Sequence, residues 1–158
     1  MTAIFLTVAL VSSTVEAGVI RINGTIAGSE SYAPFPDPAE GFYVNGSFTS
    51  TDTQLGPFTL FYSDPLVFAF LDMPPESVGA SRLVVGDAAN GDSIVACSIG
   101  NNPGSCANGD FHLVETDTII GGTGRYAGAR GSYTIDRCLN PTGETSGTIS
   151  GTIVVRGR

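Results

Sequence analysis

Charge is scarce in this chain. Asp, Glu, Lys and Arg make up 14% of its 158 residues, and only 7 of them are basic. Seven scattered cations cannot track a phosphate backbone, so the sequence argues against a nucleic-acid partner. The formal charge of −8 points the same way and keeps an exported protein soluble. Histidine is nearly absent: His112 stands alone, and the three cysteines contain no CxxC pair, which leaves too few ligands for a metal site. With no serine or cysteine in a nucleophile elbow beside that histidine, a Ser-His-Asp or Cys-His hydrolase also lacks support. No apolar run approaches the roughly 20 residues that a membrane-spanning helix needs. Helical periodicity extends nowhere beyond a turn or two.

Glycine and proline, 21 and 9 in number, are abundant and punctuate short stretches rich in Thr, Val and Ile. That pattern suits a turn-rich all-β domain. Ala3 to Ser13 form a short apolar run followed by Val15-Glu16-Ala17. Residues 1–17 therefore read as a signal peptide with the mature chain, 18–158, beginning near Gly18, although the basic residue that usually precedes the apolar run is missing. The alternative is an ordinary buried strand. On the first reading the protein is secreted or periplasmic, and the sequons at Asn23 and Asn45 matter only in a eukaryotic secretory host.

From Val19 to Ala27 apolar and polar residues alternate, placing Ile20, Ile22, Gly24 and Ile26 on one buried face. Residues Ser31 to Gly41 carry three prolines and form a loop. Phe42–Ser50 pairs with Phe58–Ser63. The continuous apolar run Leu66–Leu71 reads as a strand covered on both faces, as at a subunit contact. Arg82–Val85 and Ser93–Ser98 flank Asn90-Gly91, a strong hairpin signal. The Asp87, Asn90 and Asp92 oxygens there fit turn chemistry better than a calcium loop. A long strand, Phe111–Ile120, precedes a glycine corner, and Gly131–Ile135 and Thr145–Val155 complete the sheet. About eight short strands without helices are most economically arranged as a single closed antiparallel β-barrel, which leaves no exposed edge.

Gly121-Gly122-Thr123-Gly124-Arg125-Tyr126 follows an apolar strand, as a dinucleotide-binding fingerprint would. Such a fingerprint must open a helix, and here more glycine and then β-formers follow. The glycines instead supply unusual φ or close backbone approach at a strand-to-strand corner. With Ala129-Arg130-Gly131, the run resembles the signature corner of dirigent proteins and allene-oxide-cyclase-like barrels. The resemblance implies an eight-stranded barrel, often a dimer or trimer. It also implies a cofactor-free cyclisation or coupling of a hydrophobic small molecule inside an apolar cavity. The stretch from Val19 to Asn23 with Gly28-Ser29 is faintly similar to the start of plant allene oxide cyclases. Arg21 stands where those carry glutamate, and Glu30 where they carry proline. Arg125 stands where dirigent proteins commonly carry an acid.

Side chains alternate along a strand, so if Phe111, Leu113 and Ile119 point into the barrel, Glu115 and Asp117 point in with them. Two carboxyls on an interior face are costly without water, a partner or a ligand. Their mutual repulsion and burial would leave one protonated beside an ionised neighbour. Arg125 or Arg130 could supply the compensating charge. Glu115, Asp117, Arg130 and Arg125 are thus the candidate catalytic set. Phe111, Leu113, Ile119, Tyr126 and Tyr133 are the candidate ligand contacts, and Tyr43 and Tyr62 are further phenols for a pocket. Inverted parity would instead leave both acids in solvent. Cys97 and Cys106 bracket an apparent hairpin loop and are the expected disulfide, worth about 2–3 kcal/mol. Cys138 is then free, or pairs with one of the other two. Two functions fit: a cyclase or isomerase without metal or cofactor, or a non-catalytic secreted barrel that binds a ligand or serves structurally.

Overall fold

The computed structural model describes residues 18–37, 41–52, 54–67, 76–85 and 91–155. The expected leader over 1–17, residues 68–71 of the apolar run, and the Asp87 and Asn90 oxygens lie outside the described residues. Antiparallel strands close into a barrel in chain order. They are β1 (Gly18–Pro34), β2 (Gly41–Asp52), β3 (Gly56–Val67), β4 (Glu76–Val85), β5 (Asp92–Ser105), β6 (Phe111–Gly122), β7 (Arg130–Leu139) and β8 (Glu144–Val155). Each pairs with its successor, and β1 closes the ring on β8 from Gly18 opposite Val155 to Ser29 opposite Glu144. The all-β barrel expected from the turn spacing is the fold observed.

Alternation explains how the interior fills. On β1, Ile22 and Ile26 are buried while Arg21, Asn23 and Thr25 face out. Phe48, Phe58, Leu60, Leu83, Ile94, Ile119, Ile135, Ile149 and Ile153 complete the apolar interior. Burying a side chain of this size is worth about 1.5–3 kcal/mol. Nothing but the barrel's own side chains is needed to exclude water from this part of the lumen.

The glycine corner is a tight turn and launches no helix of useful length. Gly124–Tyr126 form a single 3₁₀ turn, closed by Tyr126 N–H on the Thr123 carbonyl at 2.9 Å. Gly124 has φ of +52°, and a Cβ there would run into the Asp92 carboxylate, so only glycine fits. Arg125 then bonds Asp92 through Nε at 2.8 Å across the outside of the corner. The nucleotide reading is thereby removed on geometric grounds.

Two expectations are corrected. The stretch expected as a loop from Ser31 is still strand at its start, since β1 continues through Pro34 opposite Phe42. The disulfide joins Cys106 to Cys138, whereas Cys97 is a free, exposed thiol. The segment between Cys97 and Cys106 is not a hairpin loop: β5 continues through Ser105. Nine residues of extended strand span roughly 30 Å at about 3.3 Å each, far beyond disulfide reach. Cys106 instead lies just past β5 and crosses the start of β6 to Cys138, whose register partner on β6 is His112. The bridge closes a segment with a sequence separation of 32. Opening it is expected to cost about 3.7 kcal/mol by the chain-entropy argument. Urea unfolding of Cys138→Ser should show that loss, and Cys97→Ser should unfold at the wild-type midpoint.

Candidate functional site

Following each inward stripe toward the end of the barrel opposite the glycine corner brings polar groups together. The β1 stripe runs Ile22, Ile26, then through Gly28 to Glu30. The β7 stripe runs Tyr133, Ile135, Arg137, and the β6 stripe runs Ile119, Asp117, Glu115. Strand parity alone therefore delivers Glu30, Glu115, Asp117 and Arg137 to one interior. Tyr62 arrives from β3 in the same way. It can do so because Gly46, its register partner on β2, has no side chain: a Cβ there would lie 1.9 Å from the Tyr62 ring.

Arg137 is the hub, with only 2% of its side chain exposed and that of Glu30 at 1%. One terminal nitrogen, Nη1, pairs with Glu30 and donates to Thr145 Oγ1 at 3.2 Å. The other, Nη2, donates to Glu115 Oε1 at 2.7 Å and to the Tyr62 hydroxyl at 3.4 Å. The guanidinium also lies over the rings of Phe48 and Tyr62, at 5.1 and 5.4 Å from their centroids. Tyr62 donates its hydroxyl to Glu30 Oε1, and Tyr32 at the rim donates to Glu30 Oε2 at 3.2 Å. Burial pulls the Arg137 pKa down, but Glu115, Tyr62 and Glu30 more than reverse this and hold it above its ordinary value. Arg137 is thus a fixed cation.

A second cluster sits beside the first. Ser81 on β4 donates its hydroxyl to Asp117 Oδ1 and lies 2.7 Å from the Tyr133 hydroxyl. Asp117 is wholly buried and its Oδ2 has no hydrogen-bond partner among the described residues. Burial pushes its pKa from the ordinary 3.8 up to about 7, with the field of Glu115 adding to the rise and the Ser81 and Tyr133 hydroxyls opposing it. Burial likewise raises the Tyr133 phenol well above its ordinary value, keeping it a neutral donor. The lumen therefore holds a carboxyl poised near neutrality beside a locked ion-pair network. That combination suits proton transfer to and from a bound molecule.

Of the residues singled out by sequence, Glu115, Asp117, Ile119 and Tyr133 face the lumen together and are buried, so the strand parity is the one expected. Leu113 is half-buried. Phe111 does not line the lumen: as the first residue of β6 it stands at the rim and is 53% exposed. Tyr126 is buried at the glycine corner under Arg125, on the far side from the acids. Arg125 and Arg130 do not compensate the acids. Arg125 is outside on Asp92, and Arg130 spends Nη1 on the carbonyls of Ile120 and Ala129. Arg137 takes that part instead, and Glu30 joins it. Glu30 lies on the stripe already read through Ile26, and Arg137 follows Tyr133 and Ile135 at the same parity, two residues past the expected end of that strand. Among the described residues no group of three His, Cys, Asp or Glu is placed to hold a metal ion. Among the described residues no helix is long and apolar enough to cross a membrane. A surface cleft of about 390 Å³ on the β1–β3 wall, lined by Thr25, Ala27, Thr49 and Thr59 among others, contains none of the acids.

Compared as a whole, the barrel superposes on a solved structure of the pterocarpan synthase dirigent protein GePTS1 with a TM-score of 0.65. The match covers 98% of this chain and 99% of that one at 11% identity. The fold is that of a dirigent protein. No family model and no curated protein matches the sequence. The dirigent-like barrel is thus shared through strand order and closure, while the side chains that fill it are largely this chain's own.

Proposed function

We propose that this dirigent-like barrel binds a hydrophobic small molecule at its polar end and moves protons on it, as a cyclase or isomerase. Such reactions rearrange bonds within one molecule, so a carboxyl that gives a proton to one ligand atom and recovers it from another completes the cycle without a redox partner. Asp117 is the donor and acceptor, Tyr133 and Ser81 hold it in place, and Glu115, Arg137 and Glu30 set the field around it. Apolar walls of Phe48, Leu60 and Ile135 supply the water-poor surroundings that hold a reactive conformer. The observation that carries the reading is the unpartnered Oδ2 of a fully buried Asp117. A buried charged network is expensive, and functional sites are where such groups concentrate. The disulfide supports export to an oxidising compartment, and an apolar run over Ala3–Ser13 of signal-peptide length is consistent with it.

A second reading has its own support. The interior side chains of Phe48, Leu60, Ile94, Ile149 and Ile153 are at 0% exposure, as expected of a barrel packed for stability and serving as a structural or surface-binding domain. Fluorescence titration with the neutral probe 2-naphthol separates the two. Saturable binding that is lost in Tyr62→Trp, which fills the polar end, supports the lumen. Absence of saturable binding by the wild-type protein would remove the small-molecule reading and leave the packed barrel.

A further inference from the structure

The lumen's charges do not balance. Glu30, Glu115 and Asp117 face a single cation, Arg137, and the other described arginines, Arg21, Arg82, Arg125 and Arg130, all lie on the outer surface. An arginine inside a barrel ordinarily suggests an anion site, but both terminal nitrogens of Arg137 are already committed to Glu30, Thr145, Glu115 and Tyr62. Only its inward-stem Nε lacks a partner. The unpartnered acceptor is Asp117 Oδ2, which is completely buried. A carboxylate ligand would bring a further negative group to a site where Glu30 and Glu115 already share the one cation, which is occupied. An ammonium would bring both the missing charge and an N–H donor.

We propose that the lumen takes a hydrophobic amine, whose ammonium group bonds Asp117 Oδ2, and rejects carboxylates. This rests on the small-molecule reading above and narrows it to a substrate class.

Three probes of one shape test it: 2-naphthylmethylamine, 2-naphthylmethanol and 2-naphthoate, titrated at pH 7 by their own fluorescence, which no tryptophan obscures. The ammonium is expected to bind at least about tenfold more tightly than the alcohol, and the alcohol more tightly than the carboxylate. In Asp117→Asn the ammonium should lose its advantage over the alcohol while alcohol binding persists. Should Asp117→Asn fail to fold, the wild-type order of the three probes still decides. Equal binding of alcohol and ammonium, or tightest binding of naphthoate, would overturn the amine assignment while leaving the lumen reading standing. Failure of all three to bind would overturn both.

Discussion

Arg137→Met is expected to destabilise the barrel by about 3–5 kcal/mol at neutral pH, the cost of leaving buried charges without their partner. The side chain of Arg137 bonds two carboxylates from separate strands, Glu30 on β1 and Glu115 on β6. Methionine fills a similar volume and keeps contact with Phe48 and Tyr62, so the loss isolates charge from packing. Two carboxylates would then face each other in a space with no described cation to replace the lost one. The triple variant with Glu30→Gln and Glu115→Gln removes those charges and should recover most of the loss, because neutral buried replacements of an ion network are often as stable as the original. Urea midpoints of the two variants measure this directly. A single variant within about 1 kcal/mol of wild type would show that the network contributes little to stability.

Asp117 should impose the opposite kind of signature, one of pH. Its folded pKa is about 7 against an ordinary 3.8, so between those values the folded chain holds a proton that the unfolded chain has released. The contribution is fully present below about pH 3.8 and is lost as pH rises through about 7. Three pKa units correspond to about 4 kcal/mol. For a chain of this length that is roughly 10 °C in melting temperature. Asp117→Asn keeps an oxygen for Ser81 and cannot ionise. It should therefore match wild type below about pH 3.8, draw ahead as pH rises through the window up to about 7, and lead by its full margin at pH 8. Parallel profiles for the two proteins would mean that Asp117 ionises without penalty and is no reservoir for a proton.

The barrel was legible in the sequence because its signals are local. Alternation on β1, the Gly-rich corner and the spacing of turns each act within ten residues, and together they admit little but a closed sheet. The acids on β6 were legible too, since Ile119 fixes the parity that carries Asp117 and Glu115 inward. Their partners were not. Arg137 lies on the stripe of Tyr133 and Ile135, but a charged residue near a strand end is ordinarily placed in solvent. Only the β1–β8 closure brings Glu30 and β7 to the same wall. Arg125 and Arg130 are near β6 in sequence and were the obvious counter-ions, yet they belong to the opposite end of the barrel. The disulfide failed for a related reason. Glycine and proline in Gly100–Gly104 look like a turn, whereas a register shift between Asn101 and Gly104 on β5 absorbs them without ending the strand. Close spacing in the chain is a poor guide to proximity where strands are long.

The pairing of β1 with β8 has a consequence for how the molecule is made. Twelve register positions join them, from Gly18 opposite Val155 to Ser29 opposite Glu144. During synthesis β1 emerges first of the eight strands and β8 last, so an open edge persists until translation has passed Val155. A nascent chain in that state exposes a long, sparsely charged template for pairing with its neighbours on the polysome. Non-local closure of this kind is also slow. A chaperone that shields the β1 edge until β8 arrives would therefore raise the yield of folded protein.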